Sequence, residues 1–303
     1  MNEANTSSTV KLEGQCLHGG QNSTLQFSKK LAGLEPHFYF PGFANALTIS
    51  DLKQFSRSSL RSTILTHHAQ TIRTPEHLLA ALLFFSDESV NVFCNTSELP
   101  GLDGSALLYR KALVNLFPQV GLAPKWKEYP TTLNWSKSWE QGFIEVSEAE
   151  HFSVTYTFNR GPIHESFYLD SPAVAWQEIL PARTFIFYSD WREGLSRGLL
   201  QGADMNSGLL LAETEFEFKH VLKQYPQLTK MELEKNQNET CVPSFPLLNQ
   251  MNFRMSQELV KHKILDLLGD LAILGLALPK LQIKIQNGGH AIHHVLLEKL
   301  LRN

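Results

Sequence analysis

Apolar positions recur along the chain with two different spacings. Alternating or β-branched and aromatic runs predict strands at "STLQFS" and "VNVFCNT" in the first half. The runs "FSVTYTF", "ESFYLD", "ARTFIFY" and "LQIKIQN" predict strands in the second. Helical spacing marks "TPEHLLAALLFF", "DGSALLYRKALVNLF" and "GHAIHHVLLEKLL". The stretch "VKHKILDLLGDLAILGLAL" (Val260 to Leu278) is apolar nearly all round: Ile264, Leu265, Leu267, Leu268 and Leu271, with Leu259 just ahead of it, cover most of the surface. A helix of that kind is normally buried. Strands grouped with pairs of helices, rather than strictly alternating with them, predict an α+β architecture.

Each half repeats a similar order of elements. Three prolines punctuate "FPQVGLAPKWKEYP" (Phe117 to Pro130), the best boundary. The expected division is an α+β domain over 1–122 and a second over 123–303. A polar stretch from Gln224 to Gln250 reads as exposed, and the second domain is expected to carry a long insertion around 213–253.

Three polar residues interrupt the Val260–Leu278 stretch at i, i+4 and i+8: His262, Asp266 and Asp270. On a helix they share one stripe, and a buried carboxylate is costly unless something pairs with it. A core histidine satisfied by an aspartate one turn away explains this pattern. A metal ion explains it too, because a spacing of four brings two side chains to one cation, whose charge compensates the carboxylates. A hydrolytic zinc site takes three protein ligands and keeps a position for water. In "RTPEHLLAAL", Pro75 suits a first helical turn and puts Glu76 and His77 at a helix start. His77 then supplies a third ligand and Glu76 a general base. An E-H pair alone is more often a surface feature. The glycines of "NGGHAIHHVLL" place His290 at the head of the last helix, where it either caps or protonates a leaving amine with Asp270 holding its imidazole. His293 and His294 are expected on the surface of that helix. Two histidines and an aspartate favour zinc, and such ligand sets also accept iron or cobalt.

Composition narrows the classes. The chain has 303 residues, 43% apolar and 19% charged, with a formal net charge of -3. It carries no basic block, so nucleic acid is not an expected partner. The start "MNEANTSSTVKLEGQ" has neither a basic nor an apolar leader segment. The run Leu271 to Leu278 is far shorter than the roughly 20 residues that span a bilayer, so stable membrane insertion is not expected. Cys16, Cys94 and Cys241 are odd in number and scattered, which argues against a disulfide framework or a thiolate metal site. The cytoplasm is the expected compartment.

Together these motifs resemble one family. "TPEHLLAAL", "ELPGLDGSA", "ARTF", "VKHKILDLLGD" and "GGHA" stand in the order and register of the zinc-dependent UDP-3-O-acyl-N-acetylglucosamine deacetylases of lipid A biosynthesis. "GQCLHGGQNSTLQF" is similar to that family's opening strand signature, and "GLSRGLLQGA" to the stretch lining its acyl-chain passage. The resemblance runs from about Gly14 to the C-terminus. It implies two domains of similar layered sheet-and-helix topology, each with an inserted subdomain, and an active site between them. It implies His77, His262 and Asp266 as zinc ligands, Glu76 as general base, His290 as general acid and Asp270 as that histidine's partner. Thr184 falls on the residue that polarises the amide carbonyl. Lys263 falls on a lysine placed toward the substrate's phosphates, and Phe185 and Leu17 on apolar contacts near the sugar and acyl chain. His18 matches the histidine of the opening signature. The implied substrate is UDP-3-O-(3-hydroxyacyl)-N-acetylglucosamine, deacetylated to the free 2-amino sugar by a monomer in a bacterial cytoplasm.

Three positions depart from the family pattern. Ile186 follows "ARTF" where glycine is usual, "FNRGP" (Phe158 to Pro162) replaces F-x-H-P, and Asn287 stands where a basic residue is common. They keep two other readings open: a deacetylase of a different N-acylated sugar or nucleotide sugar, and a non-catalytic nucleotide-sugar-binding relative.

Overall fold

The computed structural model describes residues 9–30, 35–54, 56–58, 62–67, 70–203, 206–225, 245–249 and 252–302. The chain begins with strands β1 (Thr9–Gln15), β2 (Asn22–Lys29) and β3 (His37–Tyr39), then helix α1 (Ile49–Gln54). Strands β4 (Ser56–Ser58), β5 (Ile64–His67) and β6 (Gln70–Arg73) lead into helix α2 (Glu76–Leu82), strand β7 (Val90–Cys94) and helix α3 (Leu107–Leu116). Four of these strands make a sheet of order β1-β2-β7-β3 in which only the β3–β7 pair is parallel. Alternation decides its faces: Leu25 and Phe27 of β2 are fully buried, while Lys29 reaches solvent.

Strands β8 (Lys127–Tyr129), β9 (Trp135–Trp139), β10 (Gly142–Glu148), β11 (Ser153–Arg160) and β12 (Ile163–Leu169) open the second half. Helix α4 (Pro172–Val174) runs into a π-helical turn (Ala175–Ile179), followed by β13 (Phe185–Phe187), α5 (Tyr188–Ser196), β14 (Leu209–Leu211) and α6 (Glu215–Gln224). The chain ends with α7 (Glu258–Ala272), β15 (Ala277–Pro279), β16 (Leu281–Gln286) and α8 (His290–Arg302). A five-stranded sheet has order β12-β11-β16-β10-β9, and β16 lies parallel to β11. Leu281, Ile283 and Ile285 of β16 point into the core and Gln282 and Lys284 outward. Sheets and helices thus segregate as α+β layers. Of the expected insertion, α6 and residues 245–249 are described, whereas 226–244 lies outside the described residues. Among the described residues no helix is long and apolar enough to cross a membrane.

Helix α7 is the element on which the site is built. Every residue of it except Lys263 is buried, and each buried Leu, Ile or Val contributes about 1.5–3 kcal/mol relative to exposure. Its charges away from the stripe are all paired. Glu258 accepts from Arg183 Nε at 2.7 Å and Nη2 at 3.0 Å, and Lys261 Nζ donates to Glu178 at 2.7 Å. The helix is shorter than its apolar run predicts. Gly275 and Leu276 take φ of 123° and 52°, which ends the helical path and turns the chain into β15. Gly269 is needed for close packing instead. A Cβ there would lie 2.1 Å from Glu76 O, so only glycine lets α2 lie this close against α7.

Candidate active site

The contact at Gly269 brings the head of α2 to the polar stripe of α7. His77, His262 and Asp266 each offer one ligand atom, and the three atoms lie within 4.8 Å of one another. Asp266 Oδ1 is 3.3 Å from His262 Nε2 and 3.6 Å from His77 Nε2. His262 Nδ1 is 3.1 Å from the carbonyl of Ala182, a contact that only an N–H can satisfy. Burial holds the His262 pKa below its ordinary value, so the ring is neutral and its Nε2 presents a lone pair. Burial opposes the charge on Asp266 as well, but its positively charged neighbours, Lys263 and His290 among them, outweigh it and hold the carboxyl well below the usual range. An imidazole lone pair and an ionised carboxylate therefore face each other in the core. A cation reconciles two such acceptors, and the donor set fits a divalent metal.

Asp270, one turn further on, meets donors instead. Its Oδ2 is 2.9 Å from His290 Nδ1 and 2.9 Å from His293 Nδ1, and Thr63 Oγ1 donates to its Oδ1. His290 Nε2 points the other way, 3.8 Å from Glu76 Oε1 and 3.7 Å from Asp266 Oδ2. Burial disfavours the imidazolium of His290, yet Asp270 and Asp266 override it and push the pKa up to about 9. Glu76 is shifted upward, first by burial, and its Oε2 has no hydrogen-bond partner among the described residues. A carboxylate with a raised pKa and a vacant lone pair suits proton abstraction, and a protonated imidazole nearby suits proton donation.

A small cavity of about 40 Å³ reaches Glu76, His77, Asp266, His290 and Thr184. It adjoins an open cavity of about 720 Å³, and Leu17, Thr184 and His290 line both. Thr184 sits at this junction because Gly104, at φ 77°, accepts its N–H at 2.7 Å and leaves no room for a Cβ. The large cavity is walled by Phe158, Phe185, Ile186, Phe187, Trp191 and Leu200 among others. Phe185 touches the His262 ring edge-on, with centroids 6.2 Å apart. Lys263 faces this cavity, but its ammonium lies 3.3 Å from Asp266 Oδ2 and 5.1 Å above Phe185. His18 lies on the same wall, where Glu98 accepts the backbone N–H groups of His18 and Gly19 at 2.7 and 2.9 Å.

Two of the three departing positions have local explanations. Asn287 takes φ 50°, and its side chain bonds Asn159 N–H at 2.7 Å and Gln141 O at 2.9 Å, so it closes a turn. Arg160 of "FNRGP" lies over Phe187 and is held by Asp190 and Glu213. Two histidines correct the sequence expectation. His293 and His294 are not on the helix surface: they are 0% and 5% exposed and pack around Asp270 and Thr63. With Thr63 and Tyr156 they are the site residues that sequence reasoning did not find. The doubled histidine at i+3 and i+4 from His290 was the available signal.

A protein-family model described as UDP-3-O-acyl N-acetylglycosamine deacetylase matches residues 4–223 and 215–302. The chain is 30% identical over 244 residues to the UDP-3-O-acyl-N-acetylglucosamine deacetylase of Thermodesulfovibrio yellowstonii, covering 76% of this chain and 68% of that protein. It is 27% identical to the protein of that name from Synechocystis over 305 residues, 96% of this chain and 95% of the relative. A third relative of that name, from Helicobacter hepaticus, is 27% identical over 244 residues, 79% of this chain and 71% of its own length.

Proposed function

Because the chain belongs to the UDP-3-O-acyl N-acetylglycosamine deacetylase family, we propose that Glu76, His77, Thr184, His262, Asp266, Asp270 and His290 carry that family's reaction here. The reaction is hydrolysis of the acetamide of UDP-3-O-(3-hydroxyacyl)-N-acetylglucosamine, giving acetate and a free 2-amino sugar for lipid A synthesis. The observation that carries the residue assignment is the clustering of three ligand atoms, from His77, His262 and Asp266, beside a protonated imidazole, His290, whose Nε2 lies 3.7 Å from Asp266 Oδ2 and 3.8 Å from Glu76 Oε1.

His77, His262 and Asp266 would hold a zinc ion, which would supply Lewis acidity to the amide carbonyl and to water. Glu76 removes a proton from the attacking water with Oε2, the oxygen that accepts no hydrogen bond among the described residues. The Thr184 hydroxyl, at the junction of the two cavities, donates to the carbonyl oxygen as that oxygen gains charge. His290 delivers its Nε2 proton to the departing nitrogen, while Asp270 accepts its Nδ1–H and keeps the ring in place. The large apolar cavity suits the acyl chain, with Leu17 and Phe185 against the sugar end and Lys263 near the diphosphate. The domains we assign, 1–122 and 123–303, contribute α2 and α7 to this centre. We further assign the working form as a monomer in the bacterial cytoplasm, which size-exclusion chromatography with light scattering checks for the first part.

The test is acetate release from UDP-3-O-(3-hydroxymyristoyl)-N-acetylglucosamine by zinc-loaded protein. The expected result is turnover that falls by at least about 100-fold in Glu76→Ala, the lower range of what a general base contributes. Absence of turnover with one zinc bound per chain would move the assignment to another N-acylated sugar and make Ile186 and Asn287 the positions to revert.

A further inference from the structure

The carboxylate of Asp270 is more heavily surrounded than a partner for one histidine needs to be. It is fully buried, and burial works against its charge, yet His290 and the surrounding donors hold it ionised. An ionised carboxylate only accepts hydrogen bonds, so the direction of every contact around it is determined. Thr63 donates to Oδ1, and His294 Nε2 lies 3.2 Å from Thr63 Oγ1, placed to donate in turn. On Oδ2, two imidazoles converge. His290 Nδ1 and His293 Nδ1 are each 2.9 Å away, with ring centroids 5.9 Å apart and planes at 71°.

The second imidazole is constrained at its far nitrogen too. Tyr156, fully buried on β11, places its hydroxyl 3.2 Å from His293 Nε2. Burial keeps His293 neutral, so the ring has one N–H and one lone pair. The carboxylate requires the N–H at Nδ1, and the phenol O–H, buried with it, then donates to Nε2. The tautomer is thereby fixed from both ends. His293 lines neither cavity, so it meets no substrate.

We propose that His293 is a positioning residue for the reaction, acting on His290 through the shared oxygen of Asp270. Thr63 on one oxygen and His293 on the other leave the carboxylate no freedom to rotate. With the carboxylate fixed, one direction on Oδ2 remains for His290, and that direction aims Nε2 at Glu76 and Asp266. Remove the His293 donor and the carboxylate turns about its Cβ–Cγ bond, carrying the His290 ring with it. This inference rests on the reading of His290 as the proton donor.

The test compares His293→Leu with His293→Asn in zinc-loaded protein. An asparagine amide nitrogen occupies the place of the imidazole Nδ1 and keeps the donor, whereas leucine keeps the apolar volume and loses it. The expected result is a kcat about 10- to 100-fold lower in His293→Leu, the loss typical of a residue behind an active-site group. KM is unchanged and one zinc stays bound per chain. His293→Asn recovers most of that kcat, and Tyr156→Phe, which frees the tautomer but spares the donor, loses less than His293→Leu. A residue that only filled the core would give the opposite order, with leucine tolerated better than asparagine. A second readout does not need turnover: in 15N-histidine-labelled protein the His290 Nδ1 proton gives a sharp downfield resonance that broadens in His293→Leu. Wild-type kcat in the leucine variant, or leucine equal to or better than asparagine, overturns the proposal. If leucine prevents folding, an unchanged kcat and an unchanged His290 resonance in Tyr156→Phe overturn it. Lack of turnover in the wild type with the sharp His290 resonance present would instead refute the assigned substrate and leave the positioning role standing.

Discussion

Asp266 and Asp270 lie one turn apart on the same buried helix, and the same element carries both, yet they occupy opposite environments. Asp266 faces the lone pair of His262 and the imidazole of His77, with one lysine at 3.3 Å. Asp270 faces a hydroxyl and two imidazole N–H groups. The first is short of hydrogen-bond donors and the second is saturated with them. What a buried carboxylate does is set by that difference. One short of donors is completed by a cation, and one that is saturated becomes a fixed anchor for whatever it holds.

The largest effect expected from breaking this contrast is at the metal end. Asp266→Ala should weaken zinc retention by more than the roughly 100-fold that losing a residue behind a ligand costs, and activity should fall to background. Metal analysis after dialysis against a weak chelator reads this directly. At the other end, Asp270→Asn keeps zinc but lowers kcat by about 100-fold, because His290 loses its anchor. That variant also sharpens the contrast in acid. The folded pKa of Asp270 is held well below its unfolded value of about 3.9. Its stabilising contribution is therefore complete above that value and is lost as pH falls through it toward the folded pKa. The thermal midpoint of zinc-free Asp270→Asn should fall less steeply than wild type between about pH 5 and pH 2.

Between the two aspartates stands Gly269, and Gly269→Ala tests whether the α2 contact aligns both ends. Its Cβ would meet Glu76 O at 2.1 Å, so a loss of about 1–3 kcal/mol in chemical denaturation is expected, as overpacking costs. Both zinc affinity and kcat should drop, since His77 and Glu76 move together. The smallest effect belongs to the cavity wall, away from both aspartates. Ile186→Gly should leave zinc and stability near wild type and shift the preferred acyl length upward. Each newly accommodated CH₂ improves kcat/KM by up to about 4-fold, corresponding to roughly 0.8 kcal/mol. A chain-length series of substrates measures it.

How much of this the sequence discloses differs between the same two ends. The stripe is legible because helical spacing alone puts His262, Asp266 and Asp270 on one side, and Glu76 and His77 at a helix start gain meaning only beside it, since an E-H pair alone is more often a surface feature. The anchor around Asp270 is not. Thr63 stands 207 positions away from it, in a short loop ahead of β5, and no local pattern marks a threonine there. His293 and His294 read as surface residues because the turn before α8 does not reveal which face of that helix α7 covers. Longer strands with clean alternation, such as β2 and β16, are visible in the sequence. The short strands β3 to β6 are too brief to show a period: β3 is made by pairing with the distant β7, and β4, β5 and β6 by pairing with one another. The overrun of the predicted helix to Leu278 has a similar cause, since apolar residues in β15 continue the pattern after the backbone has turned at Gly275.

The most direct test of the divided stripe is zinc stoichiometry in Asp266→Asn and Asp270→Asn, purified and dialysed side by side. Loss of zinc from the first and one zinc per chain in the second is the expected result. Equal loss from both, or retention by Asp266→Asn alone, would contradict the assignment of one aspartate to the metal and the other to the histidine.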